Sequence, residues 1–150
     1  MKDVMLRITG LQSSEQTGDD NMEFITEARL YERNGALYLI YDESGLSGVP
    51  GCRTRLRMRG PEVQLKRFGD SVGDGSEILF EKGKRFSGRY ETPFGAIEME
   101  VLTNDLKSRV SPEGHGSIDI DYDICLKGLL EGRNRISISF AESGKLEPLQ

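Results

Sequence analysis

Four arginines alternate with other residues along one short stretch of the chain, at Arg53, Arg55, Arg57 and Arg59. Residues two apart in an extended strand point to the same side, so this spacing places all four guanidinium groups on one face. Such a stripe could follow the charges of a polyanionic partner. Alternatively, it is an exposed face whose arginines pair with carboxylates on neighbouring strands, with Glu62, Glu77 and Glu81 as candidates. The net charge of -5 favours the second alternative.

A second set of polar residues shares the strand parity of apolar residues and is therefore expected to point inward. It consists of Tyr41, Glu43, Arg67 and Tyr90. An inward arginine needs a carboxylate or a ligand anion, because burying an unpaired charge is costly. We expect Arg67 to meet Glu43 or Glu91. The set could hold the polar end of a small, partly apolar ligand, or it could be a structural ion pair beneath tyrosines in a barrel filled by side chains.

No other residues form a recognisable catalytic, metal or cofactor site. The single histidine, His115, lies in a turn-like segment, and with only Cys52 and Cys125 it cannot complete a four-ligand zinc site. A serine or cysteine nucleophile would likewise have His115 as its one possible histidine base. The aspartates of Asp119–Asp123 alternate along a strand, which spreads their carboxylates along a face instead of converging them on a cation. We therefore expect no catalytic residue, no metal and no cofactor.

The elements that must position these residues are β-strands, since apolar and polar residues alternate with a period of two in most of the chain. Asn34-Gly35 between two such segments predicts a two-residue hairpin turn. Longer connections are expected at Gly10–Asn21, Ser44–Cys52 and Gly69–Gly75, and a frayed tail at 142–150. The pattern predicts roughly eight to ten strands in successive hairpins. One apolar face per strand allows a sandwich or a barrel. Successive hairpins favour an antiparallel up-and-down barrel, whose closure removes the exposed sheet edges.

Length and composition are those of a single soluble domain that spans residues 1–150. A chain of 150 residues is of ordinary size for one domain. Its longest apolar run, Ala36 to Tyr41, is too short to cross a bilayer, and its first residues lack the pattern of a secretory signal. Two cysteines do not form a disulfide framework. These features predict a cytoplasmic protein that does not contact a membrane.

Several blocks of sequence resemble a known family in their order along the chain. They are Tyr41-Asp42-Glu43-Ser44, Arg67-Phe68-Gly69, Phe80, Tyr90-Glu91-Thr92-Pro93-Phe94-Gly95, Tyr122 and Gly132-Arg133-Asn134. They resemble the YwiB-like family of small bacterial proteins, which carry a domain of unknown function, over nearly the whole chain from Val4 to Phe140. The resemblance implies a calycin-like β-barrel related in shape to lipocalins. It implies no activity.

These observations favour a non-enzymatic protein that binds a small, partly apolar ligand inside the barrel. The alternative is a structural or interaction module that contacts a protein or polyanionic partner through the face of Arg53 to Arg59. An enzyme is a third possibility, with Glu43 or Glu91 as the acid or base. The acidic total makes nucleic acid an unfavoured partner. The sequence predicts no oligomeric state.

Overall fold

The chain folds into strands joined by turns. The computed structural model describes residues 2–14, 18–42, 53–68, 77–92, 95–111, 113–127 and 130–142. The ten strands are β1 (Lys2–Ser14), β2 (Gly18–Arg33), β3 (Ala36–Asp42), β4 (Arg53–Arg59), β5 (Glu62–Phe68), β6 (Glu77–Glu81), β7 (Arg85–Thr92), β8 (Gly95–Ser111), β9 (His115–Leu126) and β10 (Leu130–Glu142). All secondary-structure elements of the described ranges are strands, which confirms the all-β prediction. Among these residues there is no helix that is long and apolar enough to cross a membrane.

All ten strands belong to one antiparallel sheet, in the order β6-β5-β4-β3-β2-β1-β10-β9-β8-β7. Consecutive strands pair as hairpins except β6 and β7, which are the two ends of the sheet, and β1 pairs with β10, so that Val4 lies opposite Glu142. The end strands β6 and β7 are joined by a turn that reaches β8, where the Gly83 amide donates to the Thr103 carbonyl at 2.9 Å. The result is a nearly closed up-and-down barrel, as predicted, and it is consistent with a calycin-like fold.

The turn between β2 and β3 has the conformation that its sequence predicts. Asn34 and Gly35 both adopt positive φ, at 52° and 79°. Positive φ at both central residues is the requirement of a type I′ turn, whose twist matches that of the flanking strands. The turn fixes the register of this hairpin, with Arg33 opposite Ala36 and Tyr31 opposite Tyr38.

The inward faces of the strands form one apolar core. Its buried members come from nine of the strands, and Phe86 of β7 packs against them with partial exposure. Leu6, Leu39, Val101 and Ile118 have no exposed surface. β3 is apolar on both sides, and burial shows that Leu37, Leu39 and Tyr41 point inward. The described part of the barrel interior is therefore occupied by side chains.

The long hairpin of β1 and β2 replaces a predicted loop. The polar composition of Gly10–Asn21 predicts a connection, but β1 continues to Ser14 and β2 begins at Gly18. The error has a physical reason: β1 lies between β2 and β10, with Ser13 opposite both Asp19 and Arg133, so the ladders on both sides hold it without an apolar pattern. At the other end, Glu142 belongs to β10 and not to a frayed tail, since it pairs with Val4. Residues 143–150 lie outside the described ranges.

Candidate binding face on strands β2 to β5

The four arginines lie on the outer side of β4, as their spacing predicts. Between them Thr54, Leu56 and Met58 are buried in the core. Arg53 and Arg59 are exposed at the two ends of the strand, whereas Arg55 and Arg57 are half-buried at its centre. The buried residues between the arginines thus anchor β4 in the core and keep the arginines on its outer side.

The central arginines do not pair with the carboxylates that the sequence offers as partners. Within the described part of the chain, neither Arg55 nor Arg57 forms an ion pair, and the Arg55 Nε is buried without a hydrogen-bond partner. Their cross-strand neighbours on β5 are Lys66 opposite Arg55 and Gln64 opposite Arg57. Glu77 instead accepts a hydrogen bond from Gln64. The expectation of a neutralised stripe is therefore wrong at its centre.

The end of the stripe is bound to the neighbouring turn. One terminal nitrogen of Arg59, Nη2, donates a hydrogen bond to the Asn34 carbonyl at 2.8 Å. Arg59 also lies opposite Glu62 across the β4–β5 ladder. Within the described ranges, the half-buried arginines of the stripe that lack an ion pair are Arg55 and Arg57.

Two tyrosines extend the stripe into a mixed basic and aromatic surface. The rings of Tyr31 on β2 and Tyr38 on β3 are stacked, with centroids 4.9 Å apart and planes inclined by 6°. The Arg55 guanidinium lies over the Tyr38 ring, 5.5 Å from its centroid. We call this outer surface of β2–β5 the basic face. Its principal side chains are Arg29, Tyr31, Arg33, Tyr38, Arg53, Arg55, Arg57, Arg59 and Lys66.

The inward polar set is described in part. Tyr41, Thr54 and Arg67 follow one another across β3, β4 and β5 on the same inward row. Tyr41 is buried with its ring centroid 6.4 Å from that of Phe24, and Arg67 is half-buried. Glu43 lies outside the described residues, and of Tyr90 and Glu91 only the backbone in β7 is described. The pairing of Arg67 with Glu43 or Glu91 stays a prediction.

A depression of about 660 Å³ lies where β3 ends and β4 begins. Tyr41, Asp42 and Arg53 line it from these two strands, and Asp3 and Arg29 line it from β1 and β2. Arg29 and Asp3 approach each other to 4.0 Å. The depression thus adjoins the basic face and receives one residue of the inward set, Tyr41.

A short polar row crosses the barrel interior on the opposite side. Tyr122 on β9 lies between Thr103 on β8 and Asn134 on β10, and all three are buried. The Asn134 amide donates to the Tyr122 hydroxyl at 3.1 Å, and burial raises the pKa of that hydroxyl. The Thr103 Oγ1 is buried and has no hydrogen-bond partner.

The outer surface of β8–β10 carries several acidic residues, and some of them form ion pairs. Asp121 accepts two hydrogen bonds from Arg133, at 2.9 and 2.7 Å, and lies 3.5 Å from Arg135. These contacts, the Arg133 hydrogen bond above all, lower the pKa of Asp121. Opposite charges are therefore paired on this surface, whereas Arg55 and Arg57 of the basic face form no ion pair within the described ranges.

Within the described ranges, the histidine and the cysteine do not lie in a cluster of side chains that could bind a metal or act together in catalysis. His115 is exposed at the first residue of β9, directly after the turn at 113–114, and not within a turn as its sequence context predicts. The Cys125 thiol, whose pKa is raised by desolvation and by Glu131, is free, and Cys52 lies outside these ranges. No three His, Cys, Asp or Glu side chains there are grouped so that they could hold a metal ion.

The chain matches one family over most of its length. A family model for DUF1934, described as a domain of unknown function, matches residues 6–138. The chain belongs to the DUF1934 family. The crystal structure of the ywiB protein from Bacillus subtilis is similar to this DUF1934 domain, with a TM-score of 0.79 and 21% identity over 95% of this chain and 92% of that one. At that identity the likeness shows the fold alone. No curated protein matches the chain.

The aromatic part of the basic face in this DUF1934 domain escaped the sequence analysis, although a signal for it was present. Tyr31 and Tyr38 stand at equal distances from the Asn34-Gly35 turn. A two-residue hairpin therefore places them opposite each other. Arg55 lies beside these tyrosines only because of the β3–β4 register. The sequence does not predict that register, because the connection at 43–52 is not a two-residue turn that would fix it.

Proposed function

We propose that this protein is a non-enzymatic, cytoplasmic interaction module that binds a polyanionic partner through the basic face. One observation carries the proposal: Arg55 and Arg57 have no ion-pair partner within the described ranges. Lys66 stands directly opposite Arg55. Like charges that face each other across a ladder repel, so the placement of Arg55 opposite Lys66 does not itself stabilise the sheet. A bound polyanion would neutralise these charges.

The geometry of the face also suits a polyanion. Arg55 and Arg57 are half-buried, so the inner part of each side chain is packed on the sheet. Arg53 and Arg59 are exposed and extend the positive charge at both ends of the strand. Arginine presents several N–H donors in a planar fork that matches the oxygens of phosphate and carboxylate groups. A row of such forks on a sheet can contact several anionic groups of one partner at once.

The experiment uses heparin as the model polyanion and measures its affinity by calorimetry over a range of salt concentrations. We expect the logarithm of the affinity to fall linearly with the logarithm of the salt concentration, because bound counterions are released. In the double variant Arg55→Ser, Arg57→Ser, we expect at least about a tenfold loss and a salt slope smaller by about 1 per arginine removed.

The matched control removes the same charge elsewhere. Arg89 and Arg109 are exposed outside the basic face, on β7 and β8, and make no ion pair among the described residues. The variant Arg89→Ser, Arg109→Ser should bind heparin nearly as the unaltered protein does. Absence of heparin binding at low salt, or an equal loss in both double variants, would overturn the proposal.

A second candidate function is the binding of a small, partly apolar ligand by the barrel. The depression of about 660 Å³ beside Tyr41 favours it, since its lining combines apolar residues with Arg53 and Asp42. It ranks second because the described part of the interior is filled by the apolar core. Native mass spectrometry of protein purified from its own host tests it: a retained small molecule that is lost in Tyr41→Ala supports this function, and an unchanged bare mass counts against it.

A further inference from the structure

The three planar groups of the basic face form a stack with one open end. Tyr31 on β2 and Arg55 on β4 contact the Tyr38 ring from the two strands that flank β3. Tyr38 is thus contacted from both neighbouring strands. Within the described ranges, the second side of the Tyr31 ring has no aromatic or cationic contact, and Tyr31 is half-exposed. The stack thus ends in an aromatic surface that can accept another flat group.

The arginine stripe beside this stack has the spacing of a phosphate backbone. Alternate residues of a strand lie about 6.6–6.8 Å apart, because each residue advances the strand by 3.3–3.4 Å. This is similar to the separation of successive phosphates in an extended single strand. Arg53 to Arg59 could therefore contact consecutive phosphates while a base stacks on Tyr31.

We infer that the polyanion is a single-stranded nucleic acid, which rests on the proposed function. Proteins that bind single strands combine a positive surface along the backbone with aromatic side chains on which bases stack. A duplex keeps its bases stacked inside and offers none to Tyr31. A sulfated polysaccharide or an acidic peptide of Asp and Glu could use the arginines but has no ring for the open end of the stack.

The negative total charge does not oppose this inference, because the charge is unevenly distributed. Glu98 and Glu100 of β8 and the aspartates of Asp119–Asp123 lie on the outer surface of β8–β9, away from the basic face. A local positive surface attracts a polyanion at distances below the Debye length, which is about 8 Å at physiological ionic strength. The acidic surface instead restricts the strand to the basic face.

The test measures the anisotropy of a labelled oligothymidine, a duplex of the same length and labelled heparin, each with the same protein variants. Tyr31→Leu removes the open ring and keeps the strand, Tyr31→Phe retains the ring, and Arg89→Ser, Arg109→Ser is the charge control. We expect Tyr31→Leu to weaken binding of the oligothymidine roughly 5- to 150-fold, the range for one stacked base, and to leave heparin affinity unchanged. Tyr31→Phe and the charge control should behave as the unaltered protein.

A second measurement reports the stacking itself. The chain has no tryptophan, so its emission comes from tyrosines alone. Oligothymidine should quench this emission, and the quenching should shrink in Tyr31→Leu, whereas heparin should leave it unchanged.

The outcomes distinguish failure of the nucleic-acid inference from failure of the proposed function. If heparin or a poly-aspartate peptide binds through Arg55 and Arg57 and Tyr31→Leu leaves oligothymidine binding unchanged, the nucleic-acid inference is overturned and the proposed function stands. If the duplex binds as tightly as the single strand, the inference is overturned as well. If no polyanion binds, both fail.

Discussion

The guanidinium of Arg55 lies over the ring of Tyr38, 5.5 Å from the ring centroid. The contact links the charge of β4 to the aromatic pair of β2 and β3, and it orients a side chain that has no carboxylate partner within the described ranges. A cation above an aromatic ring is attracted by the negative charge of the ring face. The contact therefore holds an uncompensated guanidinium in place without neutralising it.

The first prediction is that Arg55 and Tyr38 stabilise the fold jointly. A double-mutant cycle with Arg55→Ser and Tyr38→Leu should give a coupling free energy of about 0.5–1 kcal/mol, the range for an exposed cation–π pair. Chemical denaturation of the four proteins measures it. Arg57 lies directly opposite Tyr38 but makes no such ring contact, so it supplies the control cycle. Equal coupling in both cycles would mean that charge alone, and not the ring contact, is responsible.

A second prediction concerns the turn that sets the Tyr31–Tyr38 register. Gly35 has a φ of 79°, a conformation in which a β-carbon collides with the following carbonyl oxygen. Gly35→Ala should lower the free energy of unfolding by about 1–2 kcal/mol. Asn34→Gly, which keeps the positive φ accessible, should change it much less. Similar losses for the two variants in a denaturant titration would contradict this explanation.

The third prediction is a pH dependence at Asp121. Its pKa is lowered in the folded state, chiefly by the Arg133 hydrogen bond, so the folded protein binds this proton more weakly than the unfolded chain does. The stabilising contribution is complete above the ordinary value of 3.8 and is lost as the pH falls through the lowered folded pKa. Asp121→Asn should cost about 1 kcal/mol at neutral pH, as for a well-formed surface pair, and this difference should shrink in acid.

Asp123→Asn is the control for that experiment. Asp123 is exposed on the same strand and forms no hydrogen bond or ion pair within the described part of the chain. Its replacement should change the stability by no more than about 0.5 kcal/mol. Urea titrations at neutral and acidic pH compare the variants, and a constant cost of Asp121→Asn across the pH range would disprove the assigned role.

The fourth prediction concerns the buried hydroxyl of Thr103. Because its Oγ1 has no hydrogen-bond partner, Thr103→Val replaces an unsatisfied polar atom by a methyl group of similar size. The variant should unfold at the same or a higher denaturant concentration, with a gain of up to about 1–3 kcal/mol. Thr103→Ala removes volume as well and should gain less or lose stability. A clear loss in Thr103→Val would show that the hydroxyl has a bonding partner in solution.

The sequence predicts the architecture well because successive side chains of a pleated strand point to opposite faces. The alternation of apolar and polar residues therefore shows directly which residues point inward. The parity of Thr54, Leu56 and Met58 correctly assigns the arginines to the outer surface. The prediction fails where alternation is interrupted. β8 has a register shift between Thr103 and Asp105, and the segment after this bulge, which the period-two pattern does not identify, continues as strand to Ser111.

The binding face was harder to predict than the fold, because it depends on distances between strands. The alternation shows that the arginines share a side, but it does not show which residues lie opposite them. Lys66 opposite Arg55 is a matter of register between β4 and β5, and so is the absence of a carboxylate there. The ion pair of Asp121 and Arg133 was missed for the same reason.

The order of the sheet differs from the order of the chain at one place. β6 and β7 follow each other in sequence, yet they are the two ends of the sheet, while the ladder between β1 and β10 is made by strands that are remote in sequence. The chain can thus form two separate meanders, β1–β6 and β7–β10, from local hairpins alone. Joining them requires closure of a very long loop, which carries a large entropic cost before any contact is gained. Formation of the β1–β10 ladder should therefore limit the folding rate, and the two meanders, made as separate fragments, should associate through that ladder.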